Sequence, residues 1–136
     1  MARILAIDFG QKRTGIAVTD ELKIIATGLC TVQTKNLMEW LKNYFVTEQV
    51  ELVIIGYPVN IDNSDTHATG LVRHFIDAFK LQFPTMIIEK TDERNTSKQA
   101  KQSMLAMGMK KKDRRNKAFV DEIAATIILQ QYMERF

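Results

Sequence analysis

Polar and apolar positions change period along the chain. Near the start, apolar residues come in short runs: Arg3 to Asp8, Thr14 to Thr19 and Ile24 to Val32, joined by the short polar segments "FGQKR" and "DELK". Short runs with tight connections predict three strands in an antiparallel meander. From Asn36 to Val46 the spacing of Leu37, Trp40, Leu41, Tyr44 and Phe45 is helical. "ELVIIGYP" then forms a wholly apolar run stopped by Gly56 and Pro58, the pattern of a buried parallel strand. Thr66 to Phe83 returns to helical spacing, with Leu71, Val72, Phe75, Ile76 and Phe79 on one stripe. Pro84 precedes a second short buried run, "TMIIEK", and helices are predicted over Thr96 to Met107 and Asn116 to Arg135. The order is three strands, then helix, strand, helix, strand, helix, helix. It describes an α/β chain with a mixed five-stranded sheet, antiparallel at its start and parallel in its continuation, with helices on both faces.

The chain has 136 residues, 46% of them apolar, which suits one domain with a real core and leaves no linker at which to divide it. No run approaches a membrane helix, and the N-terminus opens on a strand-like run instead of a signal, so a soluble cytoplasmic protein is expected. The single cysteine, Cys30, reads as a structural thiol in a reducing compartment. Net charge is only +3, but six of the nineteen Lys and Arg residues fall within "KKKDRRNK", residues 110–117. That concentration points to a polyanionic partner.

Parallel sheets gather ligands at strand carboxyl ends, and Asp8 closes the first strand while Asp92 and Glu93 follow the last. On the final helix Asp121 shares a face with Ala124, Ala125, Ile128 and Tyr132, a stripe otherwise made of core residues. A carboxylate there is costly unless paired, protonated or metal-bound, and the two alanines let the helix lie close to the sheet. Carboxylates from separate elements, with no histidine or cysteine among them, describe a hard-oxygen site for Mg²⁺ or Mn²⁺ suited to phosphodiester cleavage. Simpler roles stand beside this reading. Asp8 caps a turn, Asp92 caps the helix beginning near Thr96, or Asp121 favours its helix through the macrodipole.

"DFGQKRTGIAVTD", "GYPVN", "TDERNTSKQA" and "DEIAATIILQQYM", in this order, resemble the signature stretches of the YqgF/RuvX family across nearly the whole chain. The resemblance implies a ribonuclease H-like (RNase H-like) fold similar to that of the junction resolvase RuvC. It also implies a nuclease that matures the 5′ end of pre-16S ribosomal RNA, with junction resolution on branched DNA as the alternative. It makes Asp8 the first-strand metal ligand, Glu93 or Asp92 the second and Asp121 the helix ligand. Three positions depart from the family pattern: Tyr57 stands where leucine is usual, Thr14 where an aliphatic is common, and Asn95 where leucine follows "DER".

Candidate phosphate contacts are Lys12 and Arg13 just past Asp8, Arg94, Lys98 and Lys101 on one helical face, and the run Lys110, Lys111, Lys112, Arg114, Arg115 and Lys117. Each also fits a solvated surface. Tyr57 suits base stacking or core packing, and His67 and His74 receive no role. The expected partner is structured nucleic acid, ribosomal RNA precursor above all, with the protein a monomer or homodimer and no membrane involved. Two other classes compete: a non-catalytic nucleic-acid-binding module, and an actin-like phosphate loop. The second needs a further domain to enclose a nucleotide.

Overall fold

The computed structural model describes residues 2–57, 67–92 and 117–134. Strands β1 (Arg3–Asp8), β2 (Arg13–Thr19) and β3 (Ala26–Gln33) are followed by a 3₁₀ turn, Thr34–Asn36, and helix α1 (Leu37–Thr47). Strand β4 (Val50–Tyr57), helix α2 (His67–Gln82), strand β5 (Ile88–Asp92) and helix α3 (Lys117–Met133) complete the described chain. The sheet order is β3-β2-β1-β4-β5. β1 pairs antiparallel with β2 and parallel with β4, β2 pairs antiparallel with β3, and β4 pairs parallel with β5. The mixed sheet read from the sequence is therefore present, with β1 at its centre.

Alternation along β1 sorts its side chains to two faces. Leu5 and Ile7 join Ile16, Val18, Val53 and Ile55 beneath Leu37 and Leu41 of α1 and Val72, Phe75, Ile76 and Phe79 of α2. Ile4 and Ala6 join Ala17 and Ile54 beneath Ala125, Ile128 and Leu129 of α3. β1 is thus buried on both sides, which explains its unbroken apolar run. Burial of each fully enclosed Leu or Ile contributes about 1.5–3 kcal/mol.

Element edges differ from the sequence reading where turn chemistry intervenes. The third strand starts at Ala26 instead of Ile24, because Asp20 Oδ1 accepts the backbone N–H groups of both Ile24 and Ile25 and holds them in the turn. The last strand runs Ile88–Asp92, later than "TMIIEK", since Met86 N–H bonds the Phe83 carbonyl and Pro84 and Thr85 form a turn. The helix expected over Thr96 to Met107 lies outside the described residues.

Candidate functional site at the carboxyl edge of the sheet

Asp8 ends β1 on the same alternation as Ile4 and Ala6, the face that α3 covers. Its register partner on β2 is Gly15. A Cβ at Gly15 would collide with the Asp121 carbonyl and lie 2.9 Å from the Glu122 amide nitrogen, so only glycine lets α3 settle here. On β3, a Cβ at Gly28 would meet Glu122 Cγ at 2.8 Å. Gly15, Ala17 and Gly28 therefore form a shallow bed on which the Asp121 turn of α3 rests, opposite Asp8. The two residues come from opposite ends of the chain, and the backbone of one rests on the strand partner of the other.

Asp121 is paired. Arg13, the first residue of β2, donates through Nε to Asp121 Oδ2 at 3.3 Å, with the two side chains 39% and 23% exposed. Of the three ways to keep an inward carboxylate, an ion partner is the one present. Arg13, a candidate phosphate contact, stands against this carboxylate through Nε and keeps other N–H donors for a second acceptor.

The parallel pairing carries Asp92 to the same edge, since it is the register partner of Tyr57 at the end of β4. β4 separates β5 from β1, so the two strand ends lie roughly 10 Å apart. Glu93, Arg94, Lys98 and Lys101 lie outside the described residues, as do Lys110, Lys111, Lys112, Arg114 and Arg115. Lys117 is the first residue of α3. Among the described residues no three carboxylate, imidazole or thiol groups converge on one metal position. Asp8 and Asp121 supply hard oxygen donors fitting Mg²⁺ or Mn²⁺, and a cation already compensates one of them.

The loop after Asp8 is latched. Thr34 donates its hydroxyl to the Gly10 carbonyl at 2.6 Å and its N–H to the Lys12 carbonyl at 2.9 Å. Having one hydroxyl proton, Thr34 must accept from Thr14 Oγ1 at 2.9 Å. Thr14 is fully buried, which gives this departure from the family pattern a structural purpose. Beside the latch opens a cavity of about 590 Å³ lined by Gln11, Lys12, Arg13, Thr31, Val32, Gln33 and Lys35. Sequence reasoning passed over Lys35. It is a lone cation after a strand, and only the pairing of Arg13 with Gln33 brings it beside Lys12.

Tyr57 is held by its neighbours: Lys90 Nζ lies 4.7 Å from its ring centroid and Arg73 Nε donates to its hydroxyl at 3.2 Å. Packing against the α1/α2 core accounts for it. Cys30 is half-buried, and burial, with the Glu122 charge second, pushes its thiol above the ordinary range. A thiol held protonated in this way is a poor nucleophile.

A family model described as RuvX, Holliday junction resolvase, matches residues 2–135. Relatives from Flavobacterium psychrophilum and Christiangramia forsetii carry the provisional name pre-16S rRNA nuclease. They are 53% and 54% identical over 135 and 133 residues, covering 99% and 98% of this chain and 98% of each relative. The fold is similar to that of fowlpox virus resolvase, solved with Holliday junction DNA, at TM-score 0.57 and 16% identity over 98% of this chain and 97% of that one. RuvC of T. thermophilus, also solved with a junction substrate, gives TM-score 0.55 and 16% identity over 99% and 95% of the two chains. At such identity these two establish the fold, the ribonuclease H-like mixed sheet. With the family model spanning residues 2–135 and relatives more than half identical along nearly the whole length, the chain belongs to the RuvX (YqgF) family of nucleases and resolvases.

Proposed function

We propose that the chain is a metal-dependent endonuclease, one domain over residues 1–136, that processes the 5′ end of the small-subunit ribosomal RNA precursor. The packing of Asp121 over Gly15, the register partner of Asp8, carries this reading. A helix-capping or turn-capping role for either carboxylate needs no such juxtaposition. Asp8 and Asp121 are two of the metal-holding groups. For the third, the stretch "TDER" that follows Lys90 offers Glu93 or Asp92.

Held by Asp8 and Asp121, Mg²⁺ or Mn²⁺ would supply an activated water and stabilisation of the leaving oxygen. The protein's own groups do the rest. Asp8 and Asp121 fix the edge of the sheet as an anionic point, and Arg13 holds the Asp121 carboxylate in place. Lys12, with the basic run at 110–117, attracts the phosphate backbone without reading sequence. Close relatives named for pre-16S rRNA favour RNA as substrate. The family description favours a second reading, resolution of branched DNA junctions. Incubation with Mn²⁺ and, separately, labelled precursor RNA and a four-way DNA junction distinguishes them. Cleavage of the precursor near its mature 5′ end with the junction left intact is the expected result, and cleavage of the junction alone would reverse the assignment. Cleavage of neither would favour a non-catalytic binding module.

A further inference from the structure

We propose that the cavity between the Gly10–Lys12 loop and the β3–α1 corner seats a backbone phosphate of the nucleic-acid substrate, with Lys35 as a binding residue beside Lys12 and Arg13. The proposal rests on the nuclease reading and deepens it. Three cations and two amides, Lys12, Arg13, Lys35, Gln11 and Gln33, line the space, and among the described residues no carboxylate does. Neither the Lys12 nor the Lys35 ammonium pairs with an acid among the described residues. Like charges held together repel, and an arriving anion relieves that repulsion. The walls are set before any ligand arrives. Thr34, next to Lys35, bonds the Gly10 and Lys12 carbonyls, while the register pair Arg13 and Gln33 joins the two sides through the sheet. A preorganised site loses less entropy on binding.

The volume, about 590 Å³, exceeds what a lone anion needs and falls within the range of ligand-sized clefts, roughly 300–1,000 Å³. A nucleotide unit with its flanking backbone suits it better than free phosphate. Arg13 lines the cavity and also contacts Asp121. A phosphate seated there therefore lies one guanidinium away from the carboxylate edge, in place to fix the strand while a neighbouring linkage meets Asp8 and Asp121.

The test is binding of a labelled RNA hairpin in EDTA, followed by fluorescence anisotropy over a series of salt concentrations, for wild type, Lys35→Ala, Lys35→Arg and, as a control on the exposed surface of α2, Lys80→Ala. Lys35→Ala is expected to weaken binding roughly three- to tenfold and to flatten the log–log salt slope by about 0.7–0.9, while Lys35→Arg keeps both near wild type. Lys80→Ala should resemble wild type. A Lys35→Ala protein with unchanged affinity and slope overturns the subsite alone, and a wild-type chain that binds no RNA overturns the nuclease reading with it. Inorganic phosphate, added at matched ionic strength against chloride, separates the two sources of the anion. Displacement of RNA no better than by chloride is expected, and strong displacement that needs Lys35 would make the cavity a free-phosphate site instead.

Discussion

Arg13 Nε meets Asp121 Oδ2 at 3.3 Å, so the first residue of β2 holds a carboxylate that lies 108 residues further along the chain. The pair ties the start of β2, past the loop after Asp8, to the helix that carries the other candidate carboxylate. One end of it faces the carboxylate edge and the other the basic cavity.

Because both partners are partly exposed, at 39% and 23%, the pair contributes less than about 1 kcal/mol to stability. Arg13→Gln should therefore melt within a few degrees of the parent yet cleave its substrate much more slowly, since Asp121 loses its orientation and the backbone loses a contact. Circular dichroism melts and single-turnover cleavage measured on the same samples check this. A variant that is strongly destabilised, or one as active as the parent, contradicts the assigned role.

Gly15→Val should be the most damaging single change away from the charged groups. Its side chain would enter the space of the Asp121 carbonyl, lifting α3 from the sheet. Overpacking of this kind costs about 1–3 kcal/mol, or more where backbone must move. Urea unfolding is expected to show that loss, and activity should fall although every carboxylate is intact.

The strands and helices that carry the site were legible because apolar periodicity is a local signal. The order β1 to β4, the α2 stripe and α3 all follow from it. Asp8 and Asp121 were legible for a related reason: each interrupts an apolar pattern that a core alone would have continued. The Arg13–Asp121 pair was not, because it depends on two glycines bringing α3 down onto β2 and β3. Lys35 stayed hidden for the same cause, since its nearness to Lys12 is made by strand pairing and not by spacing. The late start of β5 was lost to the Phe83–Met86 turn, which "TMIIEK" does not announce.

Thr14→Val removes one hydroxyl while keeping the shape of the side chain, and with it the hydrogen bond to Thr34. A net loss of about 1 kcal/mol is expected, visible as a drop of a few degrees in Tm. RNA binding should weaken as well, because the loop bearing Lys12 is less firmly held. Unchanged binding with lowered Tm would show that the latch serves the fold alone.

Cys30 offers a pH test of the α3 packing. Burial and then the Glu122 charge raise its folded-state pKa above the ordinary thiol range. The stability tied to its protonated form is therefore present below the unfolded pKa and is lost as pH climbs through the folded one. Alkylation of the native protein should rise with pH later than alkylation of the urea-unfolded chain, followed by mass spectrometry across pH 7–10 (a range of about three units around the reference thiol value). Coincident curves would mean that Glu122 and the buried surroundings do not act on this thiol.

The central claim is that Asp8 and Asp121 form a hydrolytic edge together, and Asp8→Asn tests it most directly. The substitution is nearly isosteric and removes only the charge. Single-turnover cleavage of labelled precursor RNA at saturating Mg²⁺ or Mn²⁺ should fall to background, with a melting curve like that of the parent without metal and without the parent's stabilisation when metal is added. Cleavage by a folded Asp8→Asn protein at the parental rate would contradict the account.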